Sequence, residues 1–85
     1  MVRALKMTEQ QIQRQLINKL ENDGYYVIKL TVTNKTGIPD LVALKPNEVR
    51  FFEVKRPKGH VSKIQEYRIK ELQKLGFFAE VYRGE

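Results

Sequence analysis

The 85-residue sequence contains no cysteine and a single histidine, His60. Without cysteine the chain can form neither a disulfide framework nor a thiolate zinc site. One histidine also excludes the usual histidine-rich metal sites. Any metal ion would therefore be bound by oxygen atoms, and Mg²⁺, Mn²⁺ and Ca²⁺ are the ions that prefer such ligands.

Long apolar runs are missing as well. No segment approaches the ~20 apolar residues needed to span a bilayer, so we expect no membrane partner. Residues 1–7 have no apolar core of a signal peptide, which predicts a cytoplasmic protein. The length is that of one small domain. The 16 basic residues outnumber the 10 acidic ones, and the formal net charge of +6 favours an anionic partner such as nucleic acid.

Residues 40–55 are predicted to form a β-hairpin. Two apolar runs, 41–44 and 49–54, flank a turn signal at Pro46 and Asn47. Proline presets φ for the second position of a tight turn, and asparagine tolerates the third. Both faces of the hairpin are mostly apolar, which predicts two central strands covered on both sides.

This hairpin would set two carboxylates side by side. A turn centred between its proline and asparagine places Leu44 opposite Val49 and, by extension, Asp40 opposite Glu53, with Lys55 on the same face. Opposed like charges repel, and a buried charge is costly unless it is paired or binds a metal. A divalent cation between the two acids would resolve the conflict. An ion triad neutralised by Lys55 is the alternative, and the hairpin alone leaves both open.

Two helices are predicted, at residues 8–23 and 62–75, each opened by a capping box and followed by glycine. Glu9 continues the buried face of the first helix by one turn. It is either an acid that suits the positive end of the helix dipole or a third carboxylate aimed into the site. Gln65, at the third position of the second helix, can bond back to the N-cap backbone, and it also shares the face that points towards the sheet.

The strands are predicted at residues 25–32, 39–45, 48–55 and 77–82. The order is helix, three strands, helix, strand. A crossover helix of this length lets the last strand run parallel to a neighbour. We therefore expect one α/β (α+β) domain with the order αβββαβ and a mixed central sheet flanked by helices.

Residues 55–63 carry four positive charges and no acid, and their proline and glycine predict a loop. Such a run is often only a solvated surface segment. Here it follows the strand that carries Glu53, which favours contact with a phosphate backbone. The residues predicted to bind DNA are Lys35, Arg56, Lys58, His60, Lys63 and Arg68.

The segment Gly37–Ile38–Pro39–Asp40, followed after twelve residues by Glu53–Val54–Lys55, resembles the signature of the PD-(D/E)xK nuclease superfamily. Together with Glu9 in the first helix, Glu-Val-Lys-Arg-Pro, and Ser-x-x-Gln at the second helix, it is similar to the VRR-NUC domain. The similarity extends from about Thr8 to Arg83. It implies a restriction-endonuclease-like core of the free-standing phage or bacterial type, which resembles Holliday-junction resolvases in working as a homodimer.

The resemblance also implies a metal site. Asp40, Glu53 and the backbone carbonyl of Val54 would hold Mg²⁺, for which Mn²⁺ would substitute. Glu9 would complete the acidic cluster, through water or a second metal ion. Magnesium keeps several of its waters, so a few protein ligands are enough.

The remaining roles concern catalysis. Lys55 would orient the nucleophile or offset charge in the transition state, and Gln65 would position the water or Lys55. The function expected is a divalent-metal-dependent, structure-specific endonuclease that hydrolyses phosphodiester bonds in branched DNA during repair or recombination. It would be a Holliday-junction-resolving homodimer without a nucleotide cofactor. The alternatives are a basic DNA-binding module that keeps the nuclease fold without cleaving, and a small structural protein with a buried ion cluster.

Overall fold

The order of helices and strands follows the predicted αβββαβ pattern. The computed structural model describes residues 6–84. Within them lie two helices and four strands: α1 (Glu9–Asn22), β1 (Tyr26–Lys29), β2 (Leu41–Lys45), β3 (Glu48–Val54), α2 (Lys63–Lys74) and β4 (Phe78–Tyr82). The mixed α+β fold is confirmed. Neither helix in this part of the chain is long and apolar enough to cross a membrane.

Both helices begin at a capping box. At α1 the N–H of Gln11 donates to Oγ1 of Thr8 at 3.1 Å, and the N–H of Thr8 donates to Oε1 of Gln11 at 2.8 Å. These reciprocal bonds satisfy backbone donors that the first turn of a helix leaves unpaired. Apolar side chains then follow at helical spacing, and Ile12, Leu16 and Leu20 are all buried against the sheet.

The sheet has the strand order β1-β2-β3-β4. The first three strands form an antiparallel meander, whereas β4 pairs with β3 in parallel. For β4 to run parallel to β3, the chain must first return to the end of the sheet at which β3 begins. Helix α2 makes this connection. The prediction that the hairpin supplies the two central strands is therefore confirmed.

The hairpin has the predicted register. Its two-residue turn leaves Lys45 opposite Glu48 and Leu44 opposite Val49. Asn47 has a φ of 63°, the left-handed value that the third position of such a turn requires and that asparagine tolerates better than most residues. Because side chains alternate along a strand, this register decides which residues share a face of the sheet.

The first two strands are shorter than expected. The first was predicted at 25–32 but spans Tyr26–Lys29, because its partner β2 begins only at Leu41. One further backbone bond, from the N–H of Leu30 to the carbonyl of Asp40 at 2.8 Å, closes the ladder. Beyond it the chain has no neighbouring strand, and Asp40 lies one residue before β2 rather than inside it.

One face of the sheet, here called the α1 face, forms the core. Leu41, Ala43, Phe52 and Val54 are at most 3% exposed and pack with the apolar side chains of α1. The opposite face, the α2 face, carries the alternate residues of the same strands, including Val42 and Glu53.

Helix α2 covers only part of the α2 face. Its buried Ile69 lies on the side of β4, where Ala79 is also buried. Towards β1 the face is open, with Tyr26 70% and Ile28 40% exposed. The expectation that both hairpin faces are covered is thus met fully on the α1 face and only partly on the α2 face.

Candidate active site

Glu53 is the buried centre of the site. It lies near the end of β3 on the α2 face and is 1% exposed. Its Oε2 accepts a hydrogen bond from Nε2 of Gln65 at 3.3 Å and lies 3.9 Å from Nζ of Lys55. Its Oε1 is buried and finds no hydrogen-bond donor among residues 6–84. A buried acceptor without a hydrogen-bond partner costs free energy. The protein therefore compensates only in part for the hydration that this carboxylate loses on burial.

Asp40 lies beside it, held from two sides. Its carbonyl accepts the N–H of Leu30, and its Oδ2 accepts the N–H of Val54 at 2.8 Å. The side chain of Asp40 therefore takes over the pairing of β3 where the backbone of β2 has ended. This bond directs its carboxylate towards the end of β3, next to Glu53.

The neighbouring carboxyl group of Asp40 perturbs Glu53. Burial contributes most, followed by the charge of Asp40 and a hydrogen bond shared with it, and together they raise the pKa of Glu53 from 4.5 to about 8. Lys55 acts in the opposite direction and lowers this pKa, but less strongly. Without a bound cation, Glu53 is therefore mostly protonated at neutral pH, and its carboxyl O–H can donate a hydrogen bond to the carboxylate of Asp40.

Lys55 follows β3 directly. Its backbone N–H donates to the carbonyl of Tyr82 at 3.0 Å, which extends the pairing of β3 with β4 by one residue. Its side chain is 14% exposed, and its distance to Glu53 is at the outer limit of an ion pair. A structural ion triad stabilises the charged form of its acids, whereas Glu53 is shifted towards its neutral form. The ion-triad alternative therefore explains the arrangement poorly.

Gln65 has both of the roles that its position suggested. Its Oε1 accepts the N–H of Ser62 at 3.0 Å, and its own N–H donates to Oγ of Ser62 at 3.2 Å. With the amide oxygen occupied by the cap, the amide nitrogen faces Glu53. The capping box thus orients the side chain that contacts the buried carboxylate.

Glu9 lies further from the centre. It is exposed in the first turn of α1, and its charge is the weakest of the influences that raise the pKa of Glu53. In the part of the chain from residue 6 to residue 84, no three acidic or histidine side chains come together as a metal-binding group. The structure brings Asp40, Glu53, Lys55 and Gln65 together and leaves Glu9 at the margin.

The residues at the centre fit a hard divalent cation. Asp40 and Glu53 offer adjacent carboxylate oxygens, one of which, Oε1 of Glu53, accepts no hydrogen bond from residues 6–84. Magnesium binds through one or two carboxylates and keeps several waters, so two adjacent acids are enough protein ligands for it. A cation would also remove the conflict between the two carboxyl groups.

The basic residues predicted to bind DNA fall into two groups. Five of them are exposed: Lys35, Arg56, Lys58, His60 and Lys63. Arg68 differs, since its Nε donates to the carbonyl of Thr36 at 2.9 Å and its Nη1 to Glu71 at 3.1 Å. Its side chain, 17% exposed, ties α2 to the loop before Asp40.

Two positions near the site make tertiary contacts that the sequence did not predict. Gly37 has a φ of +84°, and a Cβ there would lie 2.8 Å from Cγ1 of Ile64 and 3.0 Å from the backbone of that residue. Glycine lets the loop before Asp40 approach the first turn of α2. The Gly-x-Pro-Asp motif contained a signal of this requirement, because glycine is the residue that adopts such a φ freely.

Arg83 is the second. Its Nη1 lies 2.9, 3.2 and 2.8 Å from the carbonyl oxygens of Arg56, Pro57 and Gly59. No local pattern predicts this contact, because β4 and the loop after β3 are distant in sequence and meet only through the parallel pairing.

Residues 5–85 match the family model of the VRR-NUC domain. The match covers nearly the whole chain and agrees with the resemblance found in its motifs. No curated protein gave a match to this sequence.

Proposed function

The chain belongs to the VRR-NUC domain family, and we propose that it is a divalent-metal-dependent endonuclease that hydrolyses phosphodiester bonds in branched DNA. The family implies a nuclease-type function in DNA processing, with DNA as the substrate and a divalent metal ion as the cofactor. The observation that supports this chemistry best is the state of Glu53. Its carboxylate is buried next to Asp40, and one of its oxygens accepts no hydrogen bond within the described part of the chain, an arrangement that is costly for the ionised group unless a cation binds there.

We assign the metal ligands to Asp40, Glu53 and the backbone carbonyl of Val54, with Glu9 acting through water. Mg²⁺ is the ion proposed, and Mn²⁺ should substitute for it, because both prefer oxygen ligands. When bound, such an ion would lower the pKa of a water molecule and, as a Lewis acid, stabilise negative charge on the phosphate.

Lys55 and Gln65 act around this centre. The ammonium of Lys55, 3.9 Å from Glu53, can offset the negative charge that develops on the phosphate or orient the attacking water. Gln65 holds the carboxylate of Glu53 in one orientation through its Nε2, while the helix cap fixes its Oε1. Positioning of this kind contributes to rate because the geometry exists before the substrate binds.

The DNA backbone is proposed to approach along the loop after β3. Arg56, Lys58, His60 and Lys63 are exposed in or next to this loop, and Lys35 is exposed on the loop before β2. Cations near the site of cleavage bind phosphates and set the register of the duplex. We leave Arg68 out of this set because its guanidinium is engaged within the protein.

A homodimer is proposed for the active form. Tyr26 and Ile28 on the open part of the α2 face are 70% and 40% exposed, and Phe77, just before β4 at the opposite edge of the sheet, is 40% exposed. Exposed apolar side chains on one face of a sheet are typical of protein interfaces, and a two-fold dimer presents two sites to two strands. Light scattering coupled to gel filtration measures the mass in solution. A single-protomer mass, with cleavage of a four-way junction intact, would contradict the dimer.

The decisive experiment compares labelled four-way junction, flap, single-stranded and linear duplex DNA with Mg²⁺, with Mn²⁺ and with EDTA. We expect the protein to cut branched DNA only with a divalent ion, and the Asp40→Asn variant to cut none. Asp23→Asn, an exposed acid at the end of α1, is the control that should cut normally. Cutting that persists in EDTA would exclude the metal mechanism. Binding without cutting, in every metal, would identify a DNA-binding module.

A further inference from the structure

Arg83 has an unusual set of partners for a basic residue beside a DNA-binding loop. It is half-buried, and three carbonyl oxygens within four consecutive residues converge on its Nη1 at 2.8–3.2 Å. All three belong to the turn at residues 56–59. Nη1 of the guanidinium is therefore engaged by backbone acceptors of the protein.

The turn that it holds is tight. The N–H of Gly59 donates to the carbonyl of Arg56 at 2.9 Å, so the carbonyl of Arg56 accepts from two donors. A Cβ at Gly59 would lie 3.2 Å from both the backbone nitrogen and the carbonyl oxygen of Arg56. While three of its carbonyls contact Arg83, the side chain of Lys58 in the same turn is exposed.

The position of Arg83 links this turn to the site. In the parallel pairing of β3 with β4, Val54 lies opposite Tyr82, so the next residues on the two strands are Lys55 and Arg83. The backbone N–H of Lys55 donates to the carbonyl of Tyr82. Arg83 thus fixes the loop close to the point where the chain leaves β3 at Lys55.

We propose that Arg83 is a positioning residue that orders the turn at 56–59 for phosphate binding, an inference that rests on the proposed nuclease function. A loop that is ordered before binding does not lose conformational entropy on binding, and so binds more tightly. Loss of Arg83 should therefore weaken DNA binding rather than slow the chemical step. We expect KM, and the Kd measured for DNA in Ca²⁺, to rise about tenfold in the Arg83→Lys variant, with kcat changed less than about threefold.

Arg83→Lys separates this role from a direct phosphate contact, because lysine keeps the charge but its Nζ lies one bond short of the position of Nη1, where the three carbonyl oxygens converge. If Arg83 itself bound phosphate as a point charge, Arg83→Lys would resemble the wild type while Arg83→Gln would bind weakly. That outcome would overturn the proposal. Arg14→Lys and Arg14→Gln, on the exposed surface of α1, are the matched controls and should change neither KM nor kcat.

A readout without DNA separates this proposal from the function on which it rests. Amide hydrogen exchange at Gly59 should be faster in Arg83→Lys than in the wild type, while exchange in the core strand β3 is unchanged. If the wild type does not cleave DNA but this difference is seen, the proposed function fails and the ordering role of Arg83 stands. Equal exchange at Gly59 in the two proteins would overturn the proposal.

A double-mutant cycle tests whether Arg83 affects DNA affinity through the turn at residues 56–59. If Arg83 acts through the turn, the loss of DNA affinity caused by Arg83→Lys should be smaller in a Lys58→Gln background. Full additivity would overturn the proposal. Should both Arg83 variants fail to fold, Gly59→Ala disturbs the same turn with Arg83 intact. An unchanged KM in Gly59→Ala would then contradict the role assigned to the turn.

Discussion

Gln65 donates a hydrogen bond from its Nε2 to Oε2 of Glu53 at 3.3 Å, while its Oε1 accepts the N–H of Ser62 at 3.0 Å. One amide group thus caps a helix and contacts a buried carboxylate of the site. Because the cap occupies the oxygen, the amide cannot turn over without losing both bonds. The start of α2 and the candidate metal site are coupled through this side chain.

Replacing Gln65 by alanine should reduce both stability and cleavage. The variant loses one half of the capping box and the donor to Glu53. Hydrogen bonds to charged groups are worth about 1.5–3 kcal/mol, so we expect kcat to fall about 10- to 100-fold. Ser62→Ala is the control, since it removes the hydroxyl cap, worth about 1 kcal/mol, and keeps the backbone N–H that holds Gln65. Both variants are measured at a temperature where they are folded. Equal losses of kcat would show that Gln65 acts only as a helix cap.

The Asp40→Asn variant should be folded and inactive. The asparagine oxygen can still accept the N–H of Val54, so the bond that closes the end of β3 survives. The charge needed for metal binding is lost, and we expect the cleavage rate to fall at least about a thousandfold, because metal ions contribute several kcal/mol of charge stabilisation. Circular dichroism and a cleavage assay in Mg²⁺ measure the two effects. Retained cleavage would remove Asp40 from the metal site.

Asp40→Ala is a less suitable probe than Asp40→Asn. It leaves the N–H of Val54 without its acceptor, at a cost of about 1–3 kcal/mol. We expect its Tm to lie below that of Asp40→Asn. Similar Tm values would indicate that water replaces the lost carboxylate.

The stability gained by Glu53→Gln should increase with pH in the metal-free protein. The pKa of Glu53 is about 8 in the folded state, above its ordinary value of 4.5. Between these values the unfolded chain binds fewer protons than the folded one, so the stability of the wild type falls as pH rises. Glutamine at this position does not titrate. The difference in Tm in favour of Glu53→Gln should therefore grow from about pH 5 and level off above about pH 8.

Glu21→Gln, at an exposed position of α1, serves as the control for this series and should leave the pH dependence of Tm unchanged. The Tm of the wild type in EDTA should fall with pH faster than that of Glu53→Gln. Equal slopes would show that ionisation of Glu53 does not destabilise the folded protein.

Magnesium should stabilise the wild type more at pH 8 than at pH 6. Binding to Glu53 requires its carboxylate form, so the proton held at lower pH competes with the ion. At a concentration 100 times Kd the stabilisation is about 2.7 kcal/mol. Thermal unfolding with and without Mg²⁺ at the two pH values measures it. The Asp40→Asn variant should show almost no shift, and a shift as large as that of the wild type would place the ion elsewhere.

Gly37→Ala should cost more stability than Gly76→Ala, although both glycines have a left-handed φ. A Cβ at Gly37 would lie 2.8 Å from Cγ1 of Ile64, whereas a Cβ at Gly76 would meet nothing within 4 Å. Both variants carry the backbone cost of about 1 kcal/mol, and only Gly37→Ala adds a clash with α2. Chemical denaturation measures the difference, and Gly37→Ala should also cleave more slowly because Asp40 follows three residues later. Equal losses of stability would mean that the loop moves away from α2 freely.

The sequence by itself determined the types and order of the elements, because these depend on local chemistry. The capping boxes at Thr8 and Ser62 set the starts of the helices, and Pro46 with Asn47 set the turn and therefore the register of β2 with β3. Period-two alternation then placed Glu53 and Lys55 on one face. The nuclease motif could be found because its residues are close in sequence or lie at fixed positions on these elements.

The tertiary structure decided what depends on segments that are distant along the chain. β1 ends at Lys29 because its partner strand begins late, and Asp40 completes the ladder with its side chain, which no local pattern encodes. The burial that raises the pKa of Glu53 arises only when the sheet and helices pack around it. The engagement of Arg68 and Arg83 with backbone carbonyls likewise follows from three-dimensional proximity. The sequence alone did not distinguish these two arginines from the other basic residues, because the acceptors of a guanidinium are determined by which carbonyls the fold places near it.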